Sequence, residues 1–281
     1  MKTIALFGAG QAGMAAARLM GSGLSVCCFA DNAPEKQGTT LMGIPVVSLP
    51  DSLRFSPEAY CICVTDRLRA AEMENQLRSL GYAGEIYNTT LLRMLDTRAA
   101  VMRLLAEEIN ALEIRGDVAE LGVYKGEFAS MINSAFPGRK LHLFDTFCGF
   151  SGRDIEAERI NGFENAKTGD FSGTSAKEVL AALPLPEQAI IHEGWFPESF
   201  ETCMECEFAF VSLDADLYAP TAAALPLFWD RLSAGGALLV HDVNGAQFPG
   251  AGKAVREFCM ERGVYAVPAG DLHGSVVIRK Y

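Results

Sequence analysis

Short apolar runs alternate with segments of helical periodicity along most of the chain. In the first third, the strand candidates are almost uniformly apolar, as parallel strands buried on both faces are. They are TIALFG, SVCCFAD, AYCICVT and GEIYN. The segments GMAAARLMGSG and LRAAEMENQLRSLG have helical spacing and end near glycine. This alternation predicts a small doubly wound α/β domain over residues 1–90.

A long stretch of helical spacing interrupts the alternation over residues 91–115. Its apolar side chains recur at the spacing of one helix face. They are Leu91, Leu92, Met94, Leu95, Val101, Leu104, Leu105, Ile109 and Leu112. The spacing predicts one or two connecting helices, which pack on the second domain or on a partner subunit. The oligomeric state therefore stays open, with a homo-oligomer as one alternative.

The alternation of strands and helices restarts at Gly116 and continues to the end of the chain. The strand candidates are VAELGVY, KLHLFDTF, AIIHEGWF, FAFVSLDAD, GALLVHDV, VYAVPAG and SVVIRKY. The longest irregular stretch, residues 151–175, is polar and carries glycines, which is typical of a lid or a disordered loop. The fold class predicted is α/β, with two doubly wound Rossmann-like domains over residues 1–90 and 116–281.

Composition and charge exclude two classes of partner. The chain is 49% hydrophobic and 21% charged, which is an ordinary globular balance. No apolar run is long enough to span a membrane. The net charge of −11, with no basic stripe to offset it, argues against nucleic acid as the main partner. We expect a soluble cytoplasmic protein that acts on a small molecule, because the N-terminus enters a strand directly instead of a cleavable leader.

The cysteines and histidines give a weaker signal. Cys203 and Cys206 form a single C-x-x-C pair among eight cysteines. A zinc site would need about two further ligands at suitable spacing, and none stands nearby in the sequence. We therefore interpret the pair as reduced thiols. His192 is interpreted as a satisfied strand histidine, and no role is assigned to His142 or His273.

A complete dinucleotide-type motif, GAGQAG, follows the first strand and opens a helix. Its glycines are Gly8, Gly10 and Gly13, and Asp31 ends the next strand 18 residues later. In dinucleotide folds such glycines let a pyrophosphate approach the helix N-terminus, and the acid binds a ribose hydroxyl. The alternative is a tight turn with no ligand. The chain has no Tyr-x-x-x-Lys pair, which argues against redox chemistry.

A second glycine motif, AELGVYKGEFA, is tighter than the first and leaves less room for a pyrophosphate. It suits a ligand with an adenosine and a carboxylate but no phosphate. Asp145 ends the next strand and would hold ribose hydroxyls. Trp195 or Phe196, after the third strand, would stack on adenine. The candidate ligand-binding residues within the motif are Glu120, Gly122, Tyr124 and Gly126.

Two carboxylates stand two residues apart in FVSLDADLYAP. Asp214 and Asp216 would share one face if the strand continued through them. Two like charges at the mouth of a buried strand need a cation, a proton or a substrate to compensate them. Asp216 also precedes a helix with Pro220 near its start, so helix capping is as well supported as catalysis.

Six ordered motifs resemble the macrocin O-methyltransferase (TylF-like) family. They are AELGVYKGEFA, LFDTFCGF, GDFSGTS, EGWFPESF, FVSLDADLYAPT and GGALLVHDV, and the resemblance spans about residues 91–281. The first of them also resembles catechol O-methyltransferase. The resemblance implies a class I methyltransferase sheet, S-adenosylmethionine as methyl donor, a sugar hydroxyl as acceptor and a divalent cation. GDFSGTS would belong to a lid that shields the reaction from water.

The resemblance also implies metal ligands at Asp214 and Asp242. Where the family usually has two consecutive acids, this chain has His241–Asp242. Histidine is a softer ligand, which suits zinc, manganese or iron better than Mg²⁺. Alternatively, His241 acts as the general base. Asp216 would then join the metal ligands or accept the substrate proton.

The first ninety residues resemble N-terminal domains of sugar-modifying and polysaccharide-biosynthesis proteins. The matching text is GAGQAG followed by FADNAPEKQGTTLMGIPVVS. The resemblance implies binding of a nucleotide, such as NAD, or of a nucleotide-sugar. Two other functions stay open. One is an NAD-dependent oxidoreductase or epimerase built on GAGQAG, and the other is a non-catalytic nucleotide-binding regulatory protein.

Overall fold

A computed structural model describes residues 2–90, 96–245, 247–271 and 274–281. By its internal contacts the chain divides into two compact units, each described by itself below. The first unit comprises the chain up to Thr97 together with residues 270–272, and the second comprises residues 98–269 and 273–281. No helix in the described ranges combines the length and the apolar character needed to cross a membrane.

The first unit is a six-stranded, mostly parallel sheet in the order β3-β4-β2-β1-β5-β6, with only the β3–β4 pair antiparallel. The strands are β1 (Lys2–Phe7), β2 (Leu24–Ala30), β3 (Thr40–Leu41), β4 (Ile44–Val47), β5 (Ala59–Ile62) and β6 (Glu85–Asn88). The helices are α1 (Gln11–Leu19), α2 (Leu49–Ser52) and α3 (Arg67–Ser79). The sheet reverses its winding between β1 and β5, which is where open α/β sheets bind ligands.

The second unit is a seven-stranded sheet in the order β12-β13-β11-β10-β7-β8-β9. Its strands are β7 (Asp117–Leu121), β8 (Leu141–Asp145), β9 (Ala189–Glu193), β10 (Phe208–Leu213), β11 (Leu232–Val240), β12 (Val267–Pro268) and β13 (Val276–Arg279). Its helices are α4 (Thr97–Ala111), α5 (Glu127–Ala135), α6 (Gly152–Ile160), α7 (Ala176–Ala182), α8 (Tyr218–Arg231) and α9 (Pro249–Arg262). The winding reverses between β7 and β10, and β13 is antiparallel to β11.

Both faces of this second sheet are covered. Side chains of α4, α5 and α7 pack on one face, and those of α8 and α9 pack on the other. The predicted connecting segment contains one described helix, α4, whose apolar stripe packs on the second sheet. The predicted apolar positions Leu91, Leu92, Met94 and Leu95 lie outside the described residues.

Two local predictions are wrong. Residues 151–175 are not one irregular loop, because Ser151 caps a helix, α6, within them. Strand β10 ends at Leu213, so strand alternation does not align Asp214 with Asp216. Asp216 instead has a positive φ of 60°, because the chain turns sharply there to enter α8.

Candidate active site

A cavity of about 360 Å³ opens at the carboxyl ends of five neighbouring strands, β7 to β11, in the second unit. This is the crevice where the winding of the sheet reverses. Its wall includes most of the predicted ligand-binding and catalytic residues of this unit. Those that line it are Gly122, Tyr124, Asp145, Trp195, Asp214, Asp216, His241 and Asp242.

The glycine loop after β7 forms one side of the cavity. Gly122 has a φ of 84°, and a Cβ there would stand 2.0 Å from the backbone oxygen of Asp214, so a larger residue does not fit. Asp145 accepts hydrogen bonds from the backbone N–H groups of Val123 and Tyr124, at 2.7 and 2.8 Å. Asp145 therefore fixes the loop and also faces the cavity. Gly126 begins helix α5 with a φ of 77°.

Glu120 does not line the cavity. It lies in β7 with 1% of its surface exposed, and one carboxylate oxygen has no hydrogen-bond partner among the described residues. Burial raises its pKa well above the ordinary value, against the opposing effect of Arg98. Its assignment as a cofactor-binding residue stays a prediction.

Trp195 lines the cavity after β9, and residues of α6 fix its position. Its indole N–H donates to the carboxylate of Asp154, with both oxygens at 3.1 Å. The guanidinium of Arg153 lies 4.7 Å from the ring centroid. Phe196, the other candidate for stacking on adenine, is 4% exposed and stacks on Phe228 in the core, although it also contacts the cavity.

An aromatic cluster lies at the mouth of the cavity. Phe171, from the GDFSGTS segment, packs on Tyr124, Phe150 and Phe248 with ring centroids 5.2 to 6.2 Å apart. Thr174 from the same segment donates a hydrogen bond to the backbone oxygen of Tyr124, at 2.7 Å. The segment therefore contacts the glycine loop directly, and its action as a lid stays a prediction.

A four-residue cluster faces the same cavity from the ends of β10 and β11. One donor atom each of Asp214, Asp216, His241 and Asp242 lies within 4.8 Å of the others. The Nδ1 atom of His241 lies 2.8 Å from an oxygen of Asp214 and 2.9 Å from an oxygen of Asp242. The fold therefore brings the predicted carboxylates together through turns, although the strand itself ends before them.

Arg98 completes the cluster, and the sequence interpretation missed it. Its guanidinium donates to the second oxygen of Asp214 at 2.7 Å and to the Ser212 hydroxyl at 3.0 Å. A sequence signal was available, because Arg98 stands in line with the buried stripe of α4 that includes Met102 and Leu105. A charge on an apolar stripe indicates a buried ion pair.

The protonation states explain how these like charges coexist. Burial alone would raise the pKa of Asp214, but Arg98 and His241 outweigh it and hold that pKa far below its usual range. Burial would likewise lower the pKa of His241, yet Asp214 and Asp242 raise it to about 10. Burial, the charge of Asp214 and a hydrogen bond with Asp242 raise the pKa of Asp216 well above normal. At neutral pH the Arg98 guanidinium and the His241 imidazolium therefore compensate the carboxylates of Asp214 and Asp242, and Asp216 is protonated and neutral.

The same donor set fits a divalent cation. Three carboxylates and one imidazole converge on one point, and carboxylates suit hard cations while imidazole suits transition metals. Asp214, His241 and Asp242 would hold such a cation, and His241 would have to lose its proton to bind it. Arg98 holds the other oxygen of Asp214, which leaves a single oxygen of that carboxylate for a cation.

Asp216 does not cap helix α8. The N-cap residue of α8 is Leu217, whose side chain makes no capping hydrogen bond. Glu158 of α6 performs this function, because its carboxylate accepts a hydrogen bond from the backbone N–H of Tyr218 at 2.5 Å. The capping alternative is therefore wrong, and the Asp216 carboxyl group faces the cavity.

Four residues of the GAGQAG motif, Gly8, Gly10, Gln11 and Ala12, line a cavity of about 610 Å³ in the first unit. Gly10 lines it, and a Cβ added at Gly10 would meet nothing within 4 Å. Gly13 serves packing, since a Cβ there would stand 2.0 Å from the backbone oxygen of Gly8. Asp31 accepts from the backbone N–H of Ala9 at 2.7 Å and pairs with Lys36 at 3.2 Å.

Comparison with known proteins identifies the family. The model of the macrocin O-methyltransferase (TylF) family matches residues 64–274, well over half of the chain. The chain belongs to this family. The resemblance predicted from its motifs is confirmed, and the chain is an S-adenosylmethionine-dependent O-methyltransferase.

Individual relatives are more distant. A Streptomyces olivaceus protein, 8-demethyl-8-(2,3-dimethoxy-alpha-L-rhamnosyl)-tetracenomycin-C 4'-O-methyltransferase, is 23% identical over 64% of this chain and 71% of its own. The O-methyltransferase NovP superposes with a TM-score of 0.53 at 21% identity, covering 66% of this chain and 79% of its own. CalS11, a calicheamicin methyltransferase, superposes with a TM-score of 0.54 at 19% identity, covering 76% of this chain and 86% of its own. These structures share the class I methyltransferase fold of the second unit.

Membership in this methyltransferase family also bears on the other functions left open by the sequence. An NAD-dependent oxidoreductase or epimerase and a non-catalytic regulatory protein are not favoured. S-adenosylmethionine is confirmed as the cofactor predicted from the motifs. The roles of individual residues in binding it stay predictions.

Proposed function

We propose that this methyltransferase transfers a methyl group to a sugar hydroxyl, with a divalent cation bound by Asp214, His241 and Asp242. One observation carries the proposal. The charged cluster and the glycine loop with Asp145 line one cavity, so a methyl donor on the loop and an acceptor at the cluster would meet there. The sugar-directed name of the Streptomyces olivaceus relative supports a sugar as the acceptor.

The chemistry requires help for the nucleophile more than for the leaving group. The acceptor oxygen attacks the methyl carbon, the carbon–sulfur bond breaks and a neutral thioether departs. The hydroxyl proton must leave as the new carbon–oxygen bond forms. A bound divalent cation supplies the activation, since it lowers the pKa of an attached hydroxyl and fixes its position.

The chain's own residues divide the remaining tasks. His241 would act as a ligand, because its Nδ1 lies 2.8 Å from an oxygen of Asp214 and 2.9 Å from an oxygen of Asp242. Asp216 would accept the hydroxyl proton, since it lines the cavity, provided that a cation bound beside it had first displaced the carboxyl group's own proton. Trp195 and Asp145 position the methyl donor. Correct alignment of two reactants supplies about 7–11 kcal/mol of such a barrier.

An acceptor panel tests the sugar assignment. The full-length protein is incubated with S-adenosylmethionine and Mg²⁺ or Mn²⁺, and with a deoxysugar glycoside, a nucleoside-diphosphate sugar or a catechol. The proposal predicts methylation of a sugar hydroxyl. Turnover of the catechol alone would contradict the sugar assignment and leave the cation-binding cluster untouched.

We also propose that the first unit, over residues 1–90, binds a nucleotide such as NAD, or a nucleotide-sugar. The open space beside Gly10 at the start of α1 supports it, because a pyrophosphate needs such a close approach to the helix N-terminus. Residues 91–115 would connect this nucleotide-binding domain to the methyltransferase domain at 116–281. Isothermal titration with NAD, UDP-glucose and S-adenosylmethionine tests whether a phosphate-bearing ligand binds in addition to the methyl donor.

A further inference from the structure

A second group of metal-ligand side chains lies on the sheet of the methyltransferase unit, apart from the acidic cluster. The Sγ atoms of Cys203 and Cys206 are 2.6 Å apart, and Cys203 Sγ lies 3.3 Å from Nδ1 of His142. The same Nδ1 atom lies 2.9 Å from Nε2 of His192. The two histidines belong to the neighbouring strands β8 and β9, and 50 residues separate them in the chain.

The hydrogen bonds around the two histidines point their free nitrogens inward. Nε2 of His142 faces a carboxylate oxygen of Asp117 at 3.3 Å, so this nitrogen carries the proton. Nδ1 of His192 faces the Thr202 hydroxyl at 2.7 Å. That hydroxyl donates its own proton to the backbone oxygen of Ser199, so it accepts from His192. In the tautomer in which the rings donate both of these outer bonds, each inward nitrogen, Nδ1 of His142 and Nε2 of His192, presents a lone pair.

In that tautomer the two lone pairs face each other at 2.9 Å and need an electrophile between or beside them. His142 is 3% exposed and Cys203 is 1% exposed, so water does not solvate the group freely. A thiol proton of Cys203 can satisfy only one of the two nitrogens.

We propose that Cys203, Cys206, His142 and His192 bind a zinc ion. Two thiolates and two neutral imidazoles are a donor set typical of structural zinc, and C-x-x-C is a typical spacing for two of the ligands. With bonds of about 2.3 Å to sulfur and about 2.0 Å to nitrogen, tetrahedral ligand atoms lie about 3.3–3.8 Å apart. The donor atoms of His142, Cys203 and Cys206 all lie within 4.8 Å of one another. Nε2 of His192 lies 2.9 Å from Nδ1 of His142, so this side chain must rotate to join the other three ligands. Binding releases the two thiol protons and changes no oxidation state.

The outer contacts match those of bound zinc. A metal-binding histidine usually donates its other N–H to a carboxylate or another oxygen, which fixes the ring. Asp117 and Thr202 stand in these positions for His142 and His192. A disulfide between Cys203 and Cys206 would explain the two sulfur atoms alone and would leave the inward-facing histidines without a function.

The zinc ion would hold one wall of the methyl-donor cavity. Cys203 ends a 3-10 helix that begins at Glu198, directly after the segment with Trp195. The ring of His192 stacks on that of Phe144, with centroids 4.3 Å apart, and Phe144 lines the cavity. The site is closed by four protein ligands, so we assign it a structural role. It is independent of the cation in the proposed function.

Metal analysis of the purified full-length protein tests the site. After passage over a chelating resin, we expect the wild type to retain one zinc ion per chain. Cys206→Ser, the substitution of the less buried thiol, should lower zinc affinity at least about tenfold, as even the loss of an outer contact does. Cys259→Ser, a half-buried thiol outside the group, and Asp242→Asn, in the acidic cluster, should both retain zinc.

Cobalt substitution gives a second readout that does not depend on activity. Co²⁺ should produce thiolate-to-metal charge-transfer absorption and intense tetrahedral d–d bands, with the charge-transfer intensity about halved in Cys206→Ser. Mass analysis after alkylation in denaturant should show both thiols free once the metal is removed. A Cys203–Cys206 disulfide in the fresh protein, the absence of zinc from the wild type, or full zinc retention in Cys206→Ser would each overturn the proposal.

Discussion

The two units share one arrangement around their first strands, β1 and β7. They differ in the residues that follow β5 and β10, the strands that neighbour β1 and β7 on the other side. In both, a glycine turn joins a strand to a helix, and an aspartate ends the next strand. Asp31 accepts a hydrogen bond from Ala9, and Asp145 accepts one from Val123, each at 2.7 Å. A bond from the glycine loop to this aspartate is therefore common to both and does not by itself identify the ligand.

The aspartates that follow β5 in the first unit and β10 in the second unit differ in whether they cap the next helix. In the first unit, Asp66 follows β5 and caps α3 by accepting from the backbone N–H of Arg69 at 2.8 Å. In the second unit, Asp216 follows β10, but Glu158 caps α8 in its place. An aspartate before a helix is free for other chemistry where another residue supplies the cap. This difference separates the strand end to which we assign a catalytic role from a structural one.

The largest expected effect on methyl transfer is that of a substitution at Asp214, in the second unit. Asp214→Asn removes the anion that pairs with both Arg98 and His241, and it removes a proposed cation ligand. We expect methyl transfer to fall at least about 100-fold. This is the upper end of the loss seen when a residue that hydrogen-bonds to a metal ligand is replaced. Affinity for S-adenosylmethionine, measured by isothermal titration, should change little.

Asp66→Asn is the matched control in the first unit. Asparagine caps helices about as well as aspartate does, so this variant should retain both stability and methyl transfer. Equal losses in the two variants would mean that Asp214 acts only on folding.

The next effect concerns pH. The pKa of His241 is raised from 6.5 to about 10, so at neutral pH a cation must displace its proton. Cation affinity should therefore rise between pH 7 and pH 9, by about tenfold per pH unit for each proton displaced. Titration of Mg²⁺ or Mn²⁺ into the protein at several pH values measures it. An affinity independent of pH would show that His241 is not displaced.

Without a cation, the ion pairs of His241 with Asp214 and Asp242 should make the folded protein less stable as pH rises, whereas cation affinity increases with pH. Because the folded-state pKa of His241 is raised, its contribution to stability is complete below pH 6.5 and is lost as pH rises towards about 10. Urea unfolding of the cation-free protein should therefore show this contribution declining between pH 7 and pH 10. His241→Gln should remove that part of the pH dependence.

A smaller effect is expected from the two helix caps. Glu158→Ala and Asp66→Ala each remove one cap and should each lower the free energy of unfolding by about 0.5–2 kcal/mol. Only Glu158→Ala should also lower kcat, because the helix it caps begins beside Asp216. Glu158→Gln should restore both, since an amide oxygen still accepts from Tyr218. Urea unfolding and steady-state kinetics measure the two quantities, and a matching fall of kcat in Asp66→Ala would contradict the comparison.

The sequence predicted the repeated strand–turn–helix units well, because both glycine motifs and the uniformly apolar strands are local signals. It also predicted the membership of Asp214, Asp216, His241 and Asp242 in one cluster. The reason given for the aspartate pair was wrong, since β10 ends at Leu213 and turns bring the carboxylates together.

Contacts between distant segments were beyond local patterns. Arg98 reaches Asp214 across 116 residues, and only its position on an apolar stripe indicated a buried partner. His142 lies 61 residues before Cys203, so spacing rules for zinc ligands did not connect them. Arg98 lies on helix α4 and Cys203 ends a 3-10 helix, so each contact depends on how a helix packs against the sheet.

The smallest effect on methyl transfer is expected at the first glycine motif. Gly10 has extended backbone angles and open space at its Cβ position, so Gly10→Val should change stability by about 0.5 kcal/mol or less. Methyl transfer to a simple glycoside should be unchanged, while any binding of NAD or UDP-glucose should be lost. Thermal-shift assays with these ligands measure it, and unchanged binding in the variant would place the nucleotide elsewhere.

One chelator titration tests the central claim most directly. Methyl transfer and binding of S-adenosylhomocysteine are measured on the same full-length sample as EDTA is added and Mg²⁺ or Mn²⁺ is then restored. If Asp214, His241 and Asp242 hold a cation that activates the acceptor, methyl transfer should disappear and return with the metal. S-adenosylhomocysteine affinity should stay nearly constant throughout. Undiminished methyl transfer in excess chelator would contradict the cation-assisted mechanism.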